Sequence, residues 1–158
     1  MVNYANKGKM LERFTEASNK QYELKGLALI QKIPTPMAKN SKKGQYFYSA
    51  KSTVDFVGVS RGQYIAFDAK ETKVDRFPFS RLESHQKDYL NNTRRHGGYA
   101  FIIIMFTEHN KMYRLDIDEY NDLEKTLDRK SIPLSWFEAF KKPITSKNGV
   151  AFDYLERA

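Results

Sequence analysis

Cysteine is absent from all 158 residues. That single absence excludes disulfides, thiol nucleophiles and any Cys-based zinc site, and it leads to the expectation of a cytoplasmic protein. No apolar run reaches the length of about eighteen residues that a membrane-spanning helix needs, so no membrane partner is expected. The opening stretch Met1-Val2-Asn3-Tyr4-Ala5-Asn6-Lys7 has no apolar core, so a secretory signal is not expected either. Internal repeats and long Pro- or Ser-rich linkers are missing too. The length suits one compact unit with a real core, so residues 1–158 are read as a single domain.

Acid is scarce where base is plentiful. The formal net charge is +8, and up to Lys51 the basic residues are Lys7, Lys9, Arg13, Lys20, Lys25, Lys32, Lys39, Lys42, Lys43 and Lys51 against Glu12, Glu16 and Glu23. The last third is close to balanced. Positive charge so distributed favours a polyanion, because each Lys or Arg at a phosphate releases condensed counterions. A merely basic soluble protein would show the same balance, so charge alone does not decide for nucleic acid.

Patterning predicts a helix over 7–24, with Met10, Phe14, Ala17 and Leu24 at helical spacing and Gly26 placed to stop it. A short strand follows over 27–33, closed by Pro34-Thr35-Pro36. Residues 37–51 have no clear period. Segments 53–59 and 63–70 read as strands joined by an Arg61-Gly62 turn. Ser80-Arg81-Leu82-Glu83 fits a capping box with Ser80 as N-cap, opening a helix that ends at Gly97-Gly98. The apolar run 99–106 predicts a buried strand and 111–115 another. Short helices are expected at 120–127 and 134–140, and a terminal strand at 151–155. The plan is α/β.

Chemistry concentrates in the predicted hairpin. Alternation puts Asp55, Val57, Val59, Tyr64, Ala66, Asp68 and Lys70 on one face, and Val54, Phe56, Ile65 and Phe67 on the other. Both faces are largely apolar, so both should be covered. With a two-residue turn, Ser60 pairs with Gln63 and Asp55 falls opposite Asp68; a three-residue loop would put Asp55 on the other face. Two opposed carboxylates repel and resist desolvation, and a hard divalent cation removes both problems. Lys70, two residues beyond Asp68, can orient water or stabilise charge developing on a phosphate. On spacing alone, an Asp68–Lys70 ion pair at a sheet rim with Asp55 capping a loop fits equally well.

The residues also carry a family likeness. Gly8-Lys9-Met10-Leu11-Glu12, Lys32-Ile33-Pro34-Thr35-Pro36 and Ser52-Thr53-Val54-Asp55-Phe56-Val57-Gly58-Val59 are followed by Tyr64-Ile65-Ala66-Phe67-Asp68-Ala69-Lys70-Glu71-Thr72-Lys73, Phe77-Pro78-Phe79 and His85-Gln86. In this order and spacing they resemble RecU, the Holliday-junction resolvase family of low-GC Gram-positive bacteria and some of their phages, over residues 8–155. The resemblance implies a restriction-endonuclease-like, PD-(D/E)xK core, with a mixed central sheet flanked by helices. It further implies a homodimer that uses Mg²⁺, with Mn²⁺ as a possible substitute, to nick opposed strands of a four-way DNA junction, in company with the recombination proteins of the host. Carried over, Asp55 and Asp68 are the metal-binding carboxylates and Lys70 the catalytic lysine. The family usually has Glu where Asp68 stands. Glu12 matches a first-helix Glu that approaches the metal, although its helical phase, opposite the Met10/Phe14/Ala17 stripe, equally suits a solvated residue. Gln86 matches a helix Gln near the site, or serves as an exposed polar residue.

Residues 37–51 correspond to a stalk that is longer in the family by roughly a dozen residues. The basic and aromatic content, with Lys39, Lys42, Lys43, Tyr46, Lys51 and the neighbouring Thr53 as DNA-facing candidates, fits phosphates and exposed bases, or else a basic loop. His85, His96 and His109 lack metal-ligand spacing. Glu71 and Lys73 read as exposed strand-end charges, and Trp136, Phe137 and Phe140 as core or dimer packing. The competing functions are a nuclease acting on other branched or duplex DNA, and a non-catalytic DNA-binding recombination modulator.

Overall fold

A computed structural model describes residues 9–35, 37–40, 42–48 and 53–156, except the side chains at 9, 37–39 and 46–48. Its centre is a five-stranded sheet built from β1 (Ala28–Lys32), β4 (Phe56–Ser60), β5 (Gln63–Thr72), β7 (Tyr99–Phe106) and β8 (Lys111–Asp116), adjacent in that order. β5 and β7 run parallel and the other neighbours antiparallel, so the sheet is mixed. Helix α2 (Ser84–Arg95) makes the parallel crossover between β5 and β7, as a parallel pair requires.

Each face of the sheet has its own core. On one side Ala66, Ile102, Ile104 and Leu115 pack with Leu90 of α2, Tyr120 of α3 (Ile117–Thr126) and Phe137 of α4 (Leu134–Phe140). On the other, Phe56, Phe67, Phe101 and Ile103 pack with Leu11 and Tyr22 of α1 (Lys9–Leu24) and with Val150 and Tyr154 near the C-terminus. Phe56, Phe67 and Phe101 stack across three strands, with ring centroids 4.9 and 4.8 Å apart.

The hairpin turn is the two-residue kind. Arg61 and Gly62 have φ values of 51° and 76°, both left-handed as a type I′ turn demands, and Ser60 pairs with Gln63. Gly58 is required for another reason: a Cβ there would lie 2.0 Å from the Leu29 carbonyl oxygen of β1.

Several expectations are corrected. The buried stripe of α1 is Leu11, Thr15, Ser18, Asn19 and Tyr22, whereas Met10, Ala17 and Leu24 are exposed and Phe14 is half-buried. The face is polar because it docks by hydrogen bonds. Phe152 N–H donates to Ser18 Oγ, Ala151 N–H to Gln21 Oε1, and the Tyr154 hydroxyl to Asn19. Residues 151–155 form turns, not a strand. Ser80 sits in a 3₁₀ turn (Phe79–Arg81), and the capping box of α2 lies three residues later, with Glu83 as N-cap and Gln86 at N3. The delay follows from Leu82, which is buried and whose N–H bonds the Phe79 carbonyl. Val54 joins the core with Ala66, not with Phe56, because β4 begins at Phe56, after a bend at Asp55.

Two small ribbons lie outside the main sheet: β2 (Met37–Lys39) with β3 (Tyr46–Tyr48), and β6 (Arg76–Pro78) with β9 (Ser131–Pro133). The first organises a stretch without sequence periodicity. The Asn40 side chain accepts from Lys42 and Lys43 N–H, while Gly44 N–H donates to the Asn40 carbonyl. None of the described helices is long and apolar enough to cross a membrane.

Candidate active site

Ladder pairing between β4 and β5 ends at Phe56↔Phe67, and the next two residues are Asp55 and Asp68. Side chains take over from backbone there. Asp55 N–H donates to Asp68 Oδ1 at 3.1 Å, and Ala69 N–H donates to Asp55 Oδ2 at 2.9 Å. Ile33 N–H holds the Asp55 carbonyl at 2.7 Å, fixing the bend against the end of β1. The two carboxylates are thereby locked side by side.

Their surroundings differ. Asp55 is half-buried, but the Asp68 side chain is 0% exposed. The Lys70 ammonium lies 2.9 Å from Asp68 Oδ2, yet that oxygen has no hydrogen bond of acceptable geometry and is the unsatisfied buried side-chain atom among the described residues. Burial, reinforced by the Asp55 charge and opposed by Lys70, pushes the Asp68 carboxyl up to about 7. Two adjacent carboxylates, one of them fully buried, are costly to ionise with a single lysine to offset the charge, and a divalent cation would remove that cost. The donor set is of hard oxygens, which suits Mg²⁺ or Mn²⁺. No group of three or more His, Cys, Asp or Glu is assembled among the described residues, so a metal would take two carboxylates here and complete its shell with water and phosphate.

Gln86 reaches this pair from α2. Its Nε2 lies 3.4 Å from Asp68 Oδ1, while its Oε1 accepts Glu83 N–H at 3.1 Å as part of the capping box. One amide therefore ties the start of α2 to Asp68. Glu12 is half-buried and pairs with Lys32 at the end of β1; no contact brings it to Asp55 or Asp68. Glu71 is not a free strand-end charge. It points to the α1 side, where its Oε1 accepts Leu11 N–H at 2.8 Å. That contact, like the Asp55–Ala69 link, has no signal in residue pattern.

Of the DNA-facing candidates, Lys42 and Lys43 are exposed at the tip of the β2–β3 ribbon, and Thr53 is exposed just before the bend. Lys39 and Tyr46 lie in its strands with side chains outside the described set, and Lys51 lies outside the described residues altogether. His85, His96 and His109 are dispersed, contacting Glu83, the Asn92 carbonyl and Asp75 respectively. Phe137 is core, whereas Phe140 is 71% exposed.

The chain resembles proteins of known family. A family model described as "Recombination protein U" matches residues 6–158. A Holliday junction resolvase RecU from Geobacillus sp. (strain WCH70) is 37% identical over 97% of this chain and 83% of its own length. Its counterpart from Pediococcus pentosaceus is 37% identical over 85% of this chain and 74% of its own. Among solved structures, Archaeoglobus fulgidus Hjc, a Holliday junction resolvase, superposes with a TM-score of 0.50 at 14% identity, covering 81% of this chain and 92% of Hjc. That likeness speaks for the fold alone, the restriction-endonuclease-like arrangement of a mixed sheet between helices. The matched length and the identity together establish that the chain belongs to the RecU family.

Proposed function

We propose that this protein is a Holliday-junction-resolving endonuclease that hydrolyses phosphodiesters with a divalent cation held by Asp55 and Asp68. The observation carrying this reading is the fully buried Asp68 carboxylate, locked beside a second carboxylate and 2.9 Å from a lysine ammonium. Bound there, Mg²⁺ or Mn²⁺ would offset the paired negative charge and supply Lewis-acid polarisation of a phosphate oxygen. Lys70, 16% exposed, keeps one donor toward Asp68 and has others free for water or a non-bridging phosphate oxygen. Gln86 and the Ala69 amide hold the carboxylates in place, so their orientation need not be found anew in each turnover.

Paired nicks call for two sites related by symmetry, hence a homodimer. The uncovered row Leu29, Val59 and Tyr64 supports this. These residues are register partners on β1, β4 and β5, are 56%, 43% and 42% exposed, and share the sheet face that carries Asp68. The β2–β3 ribbon, with Lys42 and Lys43 at its tip, serves the junction.

The deciding assay offers a mobile four-way junction and a linear duplex with Mg²⁺, Mn²⁺ or EDTA. Symmetric paired nicks on the junction alone, lost in EDTA, are expected. Cutting of all substrates would instead mark a general nuclease, and binding without metal-dependent product a non-catalytic DNA-binding protein. Replacing Lys42 and Lys43 with Ala should weaken junction binding and lower its salt slope by ~2; an unchanged slope would remove the ribbon tip from the interface.

A further inference from the structure

On parts of the described surface cations are engaged by acids: Lys87 with Glu124, Arg94 with Asp118, Lys111 with Glu138 and Lys147 with Glu156. Others, among them Arg13, Lys20, Lys25, Arg61, Lys125 and Lys142, have no acidic partner among the described residues, and the fold gathers five such cations in one place. Lys73, Arg76, Arg81, Arg129 and Lys130 are all exposed, and none takes part in an ion pair or side-chain hydrogen bond among the described residues. Of the acids on the same segments, Asp75 is occupied by His109 at 2.7 Å, which leaves Asp128.

The fold gathers these five cations around the β6–β9 ribbon. Register places Arg76 opposite Pro133 and Pro78 opposite Ser131, and Phe79 N–H donates to the Lys130 carbonyl at 3.0 Å. Lys130 is thereby set against the turn that carries Arg81. The inner face of the ribbon is anchored by Phe77 and Ile132, both 0% exposed; its outer face presents Arg76, Pro78, Ser131 and Pro133, with no acid. Prolines in both strands bar the ribbon from accepting a further strand, so it is not suited to protein pairing by sheet extension.

Its position relates it to the carboxylates. Thr72, the last residue of β5, is buried and donates its hydroxyl to the Arg76 carbonyl at 3.1 Å, which folds the 73–76 segment back onto the strand bearing Asp68 and Lys70. Lys73 follows Lys70 by three residues, so their Cα atoms are at most ~11 Å apart. The β2–β3 ribbon leaves the sheet at the same end, after Lys32, whose β4 partner Phe56 adjoins Asp55. The candidate site therefore lies between two basic ribbons.

We propose that the β6–β9 ribbon is a second DNA-contact surface, which takes the sugar-phosphate backbone of the duplex arm leading away from the cleaved strand. The inference rests on the DNA-nuclease reading above. Contacts of this kind fix orientation without reading sequence.

The test is equilibrium binding of a four-way junction and of a linear duplex, without divalent metal, across a salt series. Two variants are compared with wild type, Arg76→Ala with Arg81→Ala, and Arg129→Ala with Lys130→Ala; because all four side chains are exposed, both should fold. Each should lower the slope of log affinity against log salt by ~1–2, with equal effect on junction and duplex. A Lys111→Ala with Lys147→Ala control, which removes cations already paired, should leave the slope unchanged. If wild type binds and both ribbon variants keep its slope, this assignment is overturned while the nuclease reading stands. If wild type binds neither DNA, both fall.

Discussion

Replacing Asp68 with alanine is expected to abolish junction nicking, by ~10³-fold or more, while junction binding stays within about threefold of wild type. The asymmetry follows from burial. Asp68 is inaccessible to a phosphate backbone, so it contributes nothing direct to docking, yet it supplies a buried carboxylate oxygen beside Asp55 and Lys70. The substitution also strands Lys70, whose ammonium lies 2.9 Å from that oxygen, so both the cation site and the orientation of the lysine go together. Gel-shift binding in EDTA and nicking in Mg²⁺, measured on one preparation, separate the two effects. Nicking at the wild-type rate would exclude Asp68 from the chemistry. Parallel loss of binding and cleavage would mean that the residue maintains structure instead.

The second large effect is on stability. The Asp68 carboxyl in the folded protein is raised to about 7, above its ordinary 3.8, chiefly by burial. The fold therefore favours the protonated form. That contribution is fully present below about pH 4 and is lost as pH rises through 7, at up to ~1.4 kcal/mol per pH unit. Asp68→Asn keeps an Oδ1 acceptor for Asp55 N–H and Gln86 and has no charge to bury. In metal-free buffer the variant should gain on wild type between pH 5 and 8, ending higher in Tm by roughly 5–10 °C. Added Mg²⁺ should stabilise wild type at pH 8 and leave the variant unmoved, because only the former offers two carboxylates. Tm–pH curves that run parallel for the two proteins, with no metal response, would count against a shared cation site.

How much of this was legible beforehand differs by element. β7 emerges as read, over residues 99–106, because a strand covered on both faces is a continuous apolar run. The hairpin register was legible once a two-residue turn was assumed, and with it the neighbourhood of Asp55 and Asp68. Arg61 in a left-handed conformation is the part that residue preference argues against. Apolar periodicity misses the buried face of α1 because Ser18 and Asn19 are satisfied by partners more than 100 residues distant, Phe152 and Tyr154, while Thr15 turns its hydroxyl to the Leu11 carbonyl one turn back. The capping box of α2 was misplaced by three residues because Ser80-x-x-Glu83 and Glu83-x-x-Gln86 are both plausible caps, and only the burial of Leu82 discriminates between them. Ribbons of three residues per strand, as in β6 and β9, are too short for a period to develop.

The polar face of α1 carries a consequence for the order of assembly. Tyr22 bonds Asp153 across 131 residues and Asn19 bonds Tyr154 across 135. Until those partners exist, the helix offers the sheet a stripe whose hydroxyls and amides would lose water without replacement. Closure over such a separation also comes late, after local contacts have formed. On the ribosome α1, made before the sheet it packs on, should thus be among the last of these elements to seat, waiting for residues 151–155 to emerge. Helix α1 and the 151–155 segment then hold each other in place.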